Sequence, residues 1–275
     1  MPEFATSPDA NIEAAMGSNY PRAHALKNSA KPAVIMAETG ETLTYGELES
    51  RANQLAHVWR SLGLTRGDTI AIMLENSPHW FDLYWSAQRS GLYVTPVPVK
   101  LTAGELAYIA NDSSAKVVVT SGDIAAAPQF IQQARELAPS LQHIFYVGTP
   151  LRGAKDLAGL QAAQSILPIS DETAGFHMTY SSGTTGKPKG IKLPLMDGPP
   201  DIDIPMVKII QRDYAVDQST IYLSPAPLYH TAPLMFCTAM HRLGATAVVI
   251  QHFEPEEFLK WVQTYKASFT QLVPT

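Results

Sequence analysis

The strongest constraint on this chain is a rhythm of short apolar runs separated by helical stretches. Thr69 to Leu74, Leu92 to Val97, Lys116 to Thr120 and His143 to Val147 each read as a strand without polar/apolar alternation. Strands of that kind, with helices between them, make a parallel sheet buried on both faces. The helices carry their own marks. Thr44 with Glu47, and Thr102 with Glu105, have the spacing of capping boxes. Leu48, Ala52, Leu55, Trp59 and Leu62 share one helical face, which Gly63 closes. Pro78 opens a helix in which Trp80, Tyr84 and Ala87 face one way, and Gly91 ends it. A further helix is expected from Gln129 to Ala138. The aromatics of these helices are read as core.

The rhythm returns later. Thr220 to Leu223, Ala245 to Ile250 and Ser268 to Val273 are strands; Thr231 to Arg242 and a stretch opening at Pro255 are helices, the second with Phe258, Val262 and Tyr265 inward. Gly91 lies 22 residues after Thr69, and Gly244 lies 24 after Thr220. Ala115 and Ala267 follow the same two strands by 46 and 47 residues. The expectation is an α/β fold of two similar βα units, each with its own sheet. Residues 1–40 are expected to be an irregular lead-in, 41–174 the first unit, and 175–275 a Gly/Ser/Thr-rich loop and the second unit. Gly148 to Thr173 is weakly patterned, and Met196 to Pro205 is rich in turn-formers and expected to be a mobile segment. The chain stops at Pro274-Thr275 directly after a strand, so a truncated unit is expected.

Composition excludes several classes. A chain of 275 residues, 45% hydrophobic and 16% charged, can bury a sizeable core. A net charge of −5 argues against nucleic acid as the main partner. Cys237 alone cannot form an intrachain disulfide and fits a reducing compartment as a buried apolar residue. No basic-then-apolar leader and no run near the roughly 20 apolar residues of a membrane span is visible, so a cytoplasmic location is expected.

The chemistry sits in Thr179-Tyr-Ser-Ser-Gly-Thr-Thr-Gly-Lys-Pro-Lys-Gly190, directly after a strand read at Gly175 to Tyr180. Open α/β sheets hold ligands at such strand exits. Gly183, Gly186 and Gly190 permit positive φ and close approach of backbone N–H groups. Thr179, Ser181, Ser182, Thr184 and Thr185 add neutral donors; Lys187 and Lys189 add charge that phosphate oxygens can share. Pro188 fixes the exit. Polyphosphate binding explains this set better than a solvated linker does. It is not the common P-loop, because Pro188 follows Gly186-Lys187 and Ser181 stands at the first glycine; no Gly-x-Gly-x-x-Gly is present.

The stretch resembles the signature loop of the adenylate-forming superfamily of acyl-CoA synthetases, peptide-synthetase adenylation domains and luciferases, at every defined position of Thr-x-Ser-Ser-Gly-Thr-Thr-Gly-x-Pro-Lys-Gly. Smaller matches are Leu43 to Leu48, Gly67-Asp68 with Asn76-Ser77, and Thr102 to Ala115. A second one, Ser224 to Met240, resembles the aromatic/histidine motif of acyl-CoA synthetases. The resemblance covers nearly all of residues 40 to 275, roughly the first half of a full enzyme, and implies two similar sheets stacked through a helical layer.

It also implies roles. Ser181 to Lys189 would cradle the β- and γ-phosphates of ATP, with Thr184 the hydroxyl nearest Mg2+ and Lys189 stabilising charge in phosphoryl transfer. His230 would border the acyl carboxylate and the path of the CoA thiol, beside Tyr229. Amino-acid adenylating domains tend to carry aspartate where His230 stands. Leu234, Met235, Phe236 and Met240 suit an uncharged hydrophobic acyl tail, that of a medium- or long-chain fatty or related carboxylate, and methionine adapts to flexible chains. His177 and His241 lack such context and are read as structural. The implied reaction takes a carboxylic acid, ATP and CoA to acyl-CoA, AMP and pyrophosphate. The superfamily's later motifs, including its ribose-binding aspartate and catalytic lysine, have no counterpart here, so the chain alone is expected not to turn over. The family departs from this sequence after the loop, where it runs more directly into a helix. An aryl-acid or amino-acid adenylating enzyme, a non-catalytic nucleotide-binding remnant, a second chain supplying the missing part and a homodimer all stay open.

Overall fold

A computed structural model describes residues 18–125, 129–181 and 188–272. In order the elements are α1 (Pro21–Lys27), β1 (Pro32–Met36), β2 (Thr42–Thr44), α2 (Tyr45–Ser61), β3 (Thr69–Ile72), α3 (His79–Arg89), β4 (Tyr93–Pro96), α4 (Ala103–Ser113) and β5 (Ala115–Thr120). There follow α5 (Phe130–Leu137), β6 (His143–Tyr146), β7 (Lys155–Asp156), α6 (Leu157–Ala162), β8 (Phe176–Ser181) and β9 (Lys189–Lys192). The chain continues with α7 (Pro205–Tyr214), β10 (Ile221–Ser224), α8 (Thr231–Arg242), β11 (Thr246–Val249), α9 (Pro255–Tyr265) and β12 (Phe269–Thr270). Both capping boxes form: the Thr44 and Thr102 hydroxyls accept from the Glu47 and Glu105 amides, and each glutamate accepts in return.

The strands make two sheets. One has the order β7-β6-β5-β3-β4-β8-β9, the other β12-β10-β11-β1-β2. The internal repeat is visible in the ordering. β3 lies between β5 and β4, and β10 lies between β12 and β11, all parallel. Gly91 and Gly244 both take positive φ, at 68° and 75°, just after α3 and α8.

The sides of the strands sort into layers. Ile70 and Ile72 of β3 join Val34 and Met36 of β1 and Ala247 and Val249 of β11 in one core, with α2, α3 and α8 between the sheets. Ala71 and Met73 face the other way, against Leu106 and Ile109 of α4 and Phe130 and Ile131 of α5. Leu223, Val248 and Ile250 likewise meet Phe258, Trp261, Val262 and Tyr265 of α9. The absence of alternation in these strands thus has its physical reason: each one buries both faces. Among the described residues, no helix is long and apolar enough to cross a membrane.

Three features differ from the sequence reading. The lead-in is not irregular over its second half, because α1 and β1 are ordered and β1 lies inside the second sheet, parallel to β11 and antiparallel to β2. A five-residue run is too short to show a period, and its burial comes from partners over 200 residues away. In the reverse sense β8 and β9, assigned by sequence to the second unit, extend the first sheet. Finally, the segment after β9 is irregular as far as Ile204 but is fastened: Gly198 O accepts from Ala174 N, Asp197 pairs with Arg66, and Arg242 donates to Pro200 O and Ile202 O.

Candidate active site

The two ends of the Gly/Ser/Thr-rich stretch are paired strands, β8 and β9. β8 runs parallel to β4, then the chain returns antiparallel as β9, with Ser181 opposite Lys189 at the mouth. Ser182, Gly183, Thr184, Thr185, Gly186 and Lys187 lie outside the described residues. Thr179 is buried in the stem at 9% exposure, whereas Ser181 and Lys189 are exposed. None of the ion pairs among the described residues involves Lys189. An exposed lysine held at the mouth of a hairpin fits an anionic ligand.

The stem is tied to α4. Tyr180 donates its hydroxyl to Asp112 Oδ2 at 2.7 Å, and Tyr108 donates to Pro188 O at 3.0 Å. Burial and then the hydrogen bond to Asp112 push the Tyr180 hydroxyl well above the usual tyrosine range. Gly190 does not take positive φ; a Cβ there would lie 2.5 Å from Met178 Cε and 3.0 Å from Asp112 Oδ2, the ends of two side chains that can turn aside. The sequence showed the glycine but not these neighbours, one of them on a helix about 80 residues away.

The second motif follows β10. His230 is the N-cap of α8, with extended backbone and no side-chain capping bond. Its ring lies 4.8 Å from that of Tyr229, centroid to centroid. The residue is exposed, yet enough of the ring is shielded for burial to lower its pKa below the usual histidine value. Burial, then the Glu75 carboxylate, raises the Tyr229 hydroxyl. Leu234 is 1% exposed and belongs to the central core, so its side chain lines no mouth. Met235 is half-buried and lines a cavity between α7 and α8. Cys237 is fully buried, and burial pushes its thiol up to about 12, which leaves it inert at neutral pH. His241 is buried too, accepting from Trp85 Nε1 at 3.1 Å.

The two motifs stand on different sheets, and one residue joins the carboxyl ends of those sheets. Asn76, just past the carboxyl end of β3, is 3% exposed. It donates to Ile250 O at 2.8 Å and Ala226 O at 3.2 Å, and accepts from Leu228 N at 2.8 Å. The carboxyl end of the first sheet is thereby pinned to the carboxyl ends of β10 and β11 and to the loop leading to His230. Sequence reading marked Asn76 as a landmark and missed this task. The available signal was a small amide at a strand exit, where backbone groups need partners. Asn76→Ala strands three polar partners in a buried place, at about 1–3 kcal/mol for each group left unpaired. The expected outcome is a loss of at least 2 kcal/mol in a urea titration, with faster amide exchange over residues 225–230.

With this geometry in view, comparison with known proteins is informative. The chain matches the model of the AMP-binding enzyme family over residues 21–275. It belongs to that family. Two curated relatives are 4-coumarate–CoA ligase 2 of Petroselinum crispum, 27% identical over 257 residues, and crotonobetaine/carnitine–CoA ligase of Escherichia coli (strain SE11), 26% identical over 258 residues. Each alignment covers 89% of this chain but only 44% and 48% of the relative, so the chain spans about half their length. Among solved structures, the N-terminal domain of FACL13 from Mycobacterium tuberculosis superposes with a TM-score of 0.76 at 22% identity, covering 96% of this chain and 63% of that one. A long-chain-fatty-acid-CoA ligase from Archaeoglobus fulgidus gives 0.77 at 19% identity, covering 94% and 50%. At that identity the structures speak to the fold, which is the two-sheet plan of this AMP-binding chain.

Proposed function

We propose that this chain is the ATP- and acid-handling part of an ATP-dependent acid–CoA ligase acting on a hydrophobic carboxylic acid. The observation that carries the reading is the signature hairpin: Ser181 and Lys189 face each other at its mouth, both exposed, on a stem fastened to α4. A carboxylate is a poor acyl donor because its leaving group would be oxide. Attack of the acid on the α-phosphate of ATP expels pyrophosphate and makes AMP the leaving group, which the CoA thiol then displaces.

Lys189 orients the phosphate tail and offsets its charge. Ser181 donates a hydroxyl beside it. Mg2+ would share those phosphate oxygens; its nearest hydroxyl, Thr184, lies outside the described residues. His230, whose pKa burial lowers, and Tyr229 border the carboxylate end. His230 stands where amino-acid adenylating domains tend to carry an aspartate for the substrate ammonium, which favours an acid without one. The name of the Petroselinum crispum relative favours an aryl acid as the second reading.

Calorimetry of MgATP on the 275-residue chain tests the site. Saturable binding is expected, weakened roughly 10- to 100-fold by Lys189→Ala, as for the loss of one charged hydrogen bond. No ATP binding, or binding indifferent to Lys189→Ala, defeats the reading. ATP–pyrophosphate exchange across fatty, aryl and amino acids, run on the complete reading frame, identifies the acid class.

A further inference from the structure

Arg242 ends α8 and is 4% exposed. Buried arginines normally face a carboxylate. This one does not: none of the ion pairs among the described residues involves it. Its guanidinium donates to three carbonyls instead, Asn19 O at 3.2 Å, Ile202 O at 3.2 Å and Pro200 O at 3.1 Å. It also lies 5.5 Å from the ring centres of Tyr20 and Trp85. Carbonyls and ring faces solvate a cation without neutralising it. Asp201 and Asp203 act on it only beyond ion-pair distance, and Asp203 pairs with Lys208 at 2.6 Å.

Arg242 is also one of the residues that line a cavity of about 40 Å3 between α7 and α8. A single water needs about 10–15 Å3 on this measure, so a carboxylate head fits. Tyr84, Phe176, Met206 and Met235 give the cavity apolar walls. His177 adds a buried Nδ1 with no hydrogen-bond partner, and burial holds its ring at a pKa of about 4, so it is neutral. In the tautomer protonated at Nδ1 it is a donor. Met206 is 39% exposed, so the wall it forms reaches solvent. A buried cation, an unused donor and apolar walls together describe a receptor for an amphipathic anion.

We propose that the cavity between α7 and α8 binds a small aliphatic carboxylate, its head on Arg242 and His177 and its hydrocarbon body against Met206 and Met235. This site is separate from the hairpin mouth and does not rest on the function proposed above. It makes the fastened segment before α7 one wall of a binding site.

Titration of the 275-residue chain with butyrate, followed by calorimetry and ligand-observed NMR, tests it. Saturable binding is expected, at least tenfold tighter than for butan-1-ol, which lacks the charge, and than for inorganic phosphate, which lacks the apolar body. Met206→Trp, which fills the cavity from its solvent side, should weaken butyrate at least tenfold with the melting temperature retained. Retained affinity in Met206→Trp would place the butyrate at the acid mouth instead of this cavity. Absence of saturable butyrate binding overturns the proposal. So does butanol or phosphate binding as well as butyrate, or full affinity in Met206→Trp.

Discussion

Glu49→Ala is expected to cost about 3–5 kcal/mol, read as a large fall in the urea midpoint, because it leaves a buried charge without its partner. Glu49 of α2 accepts from Arg89 Nη1 at 2.9 Å and Nη2 at 2.8 Å, and from Arg22 Nε at 2.8 Å. Arg89 is fully buried and also bonds Asn53. Arg22 reaches on to Glu172 with both terminal nitrogens, so the network ties α1, α2, α3 and the run before β8 together. Replacing both Glu49 and Arg89 by apolar residues, as Glu49→Leu with Arg89→Met, should cost less than Glu49→Ala alone, since no charge is then stranded.

The same network sets the acid limit. Burial pushes the Glu49 carboxyl up, but Arg89 and Arg22 outweigh it and hold the pKa at about 2, against 4.5 for a free glutamate. The group binds its proton less readily folded than unfolded. Its stabilisation is therefore complete above pH 4.5 and is lost as pH falls through about 2, a change of about 3 kcal/mol. His241 and His177 act earlier. Burial lowers them to about 3 and about 4 from 6.5, so stability begins to fall below pH 6.5. Unfolding free energy measured from pH 7 to 2 should fall throughout, and Glu49→Ala should flatten the section below pH 4.5. A profile unchanged by that substitution would show that the carboxylate carries no linked stability.

The second large effect falls on Gly175, at the start of the strand that carries the signature hairpin. A Cβ there would lie 2.5 Å from Leu92 O, 2.7 Å from Ala87 O and 3.0 Å from Gln88 Cα. All three are backbone atoms, so no side chain can swing aside. Gly175 also donates to Gln88 O at 2.7 Å, which fixes it in place. Gly175→Ala should cost about 3 kcal/mol, the upper end for overpacking. For a chain of this size that is a fall in melting temperature of about 5–6 °C by differential scanning calorimetry. A melting temperature within 2 °C of the parent would mean that α3 and β8 can part at little cost, and that the hairpin stem is less firmly set than its contacts imply.

What is legible in the sequence is mostly local. Capping boxes at Thr44 and Thr102 involve residues three apart, and they form as written. The doubly buried strands announced themselves by lacking alternation. The helix α3 shows where periodicity stops being enough. Trp80, Tyr84 and Ala87 marked one inward face, but every residue from Trp80 to Arg89 is buried, because α3 lies between two sheets and has no solvent side. Asp82, Gln88 and Arg89, which a single-face reading leaves in water, are inside.

The sequence by itself determined the kinds of element and the twofold βα repeat, since each depends on neighbours within a few turns of chain. Only the tertiary structure decided that β1 enters the second sheet, that Gly190 lies beside Asp112, that Leu234 is core and Met235 lines a cavity, and that Asn76 couples two strand exits. Those outcomes depend on which buried polar group finds a partner and which surface finds a cover. Both are settled between residues far apart in sequence, where no period or spacing carries a trace of them.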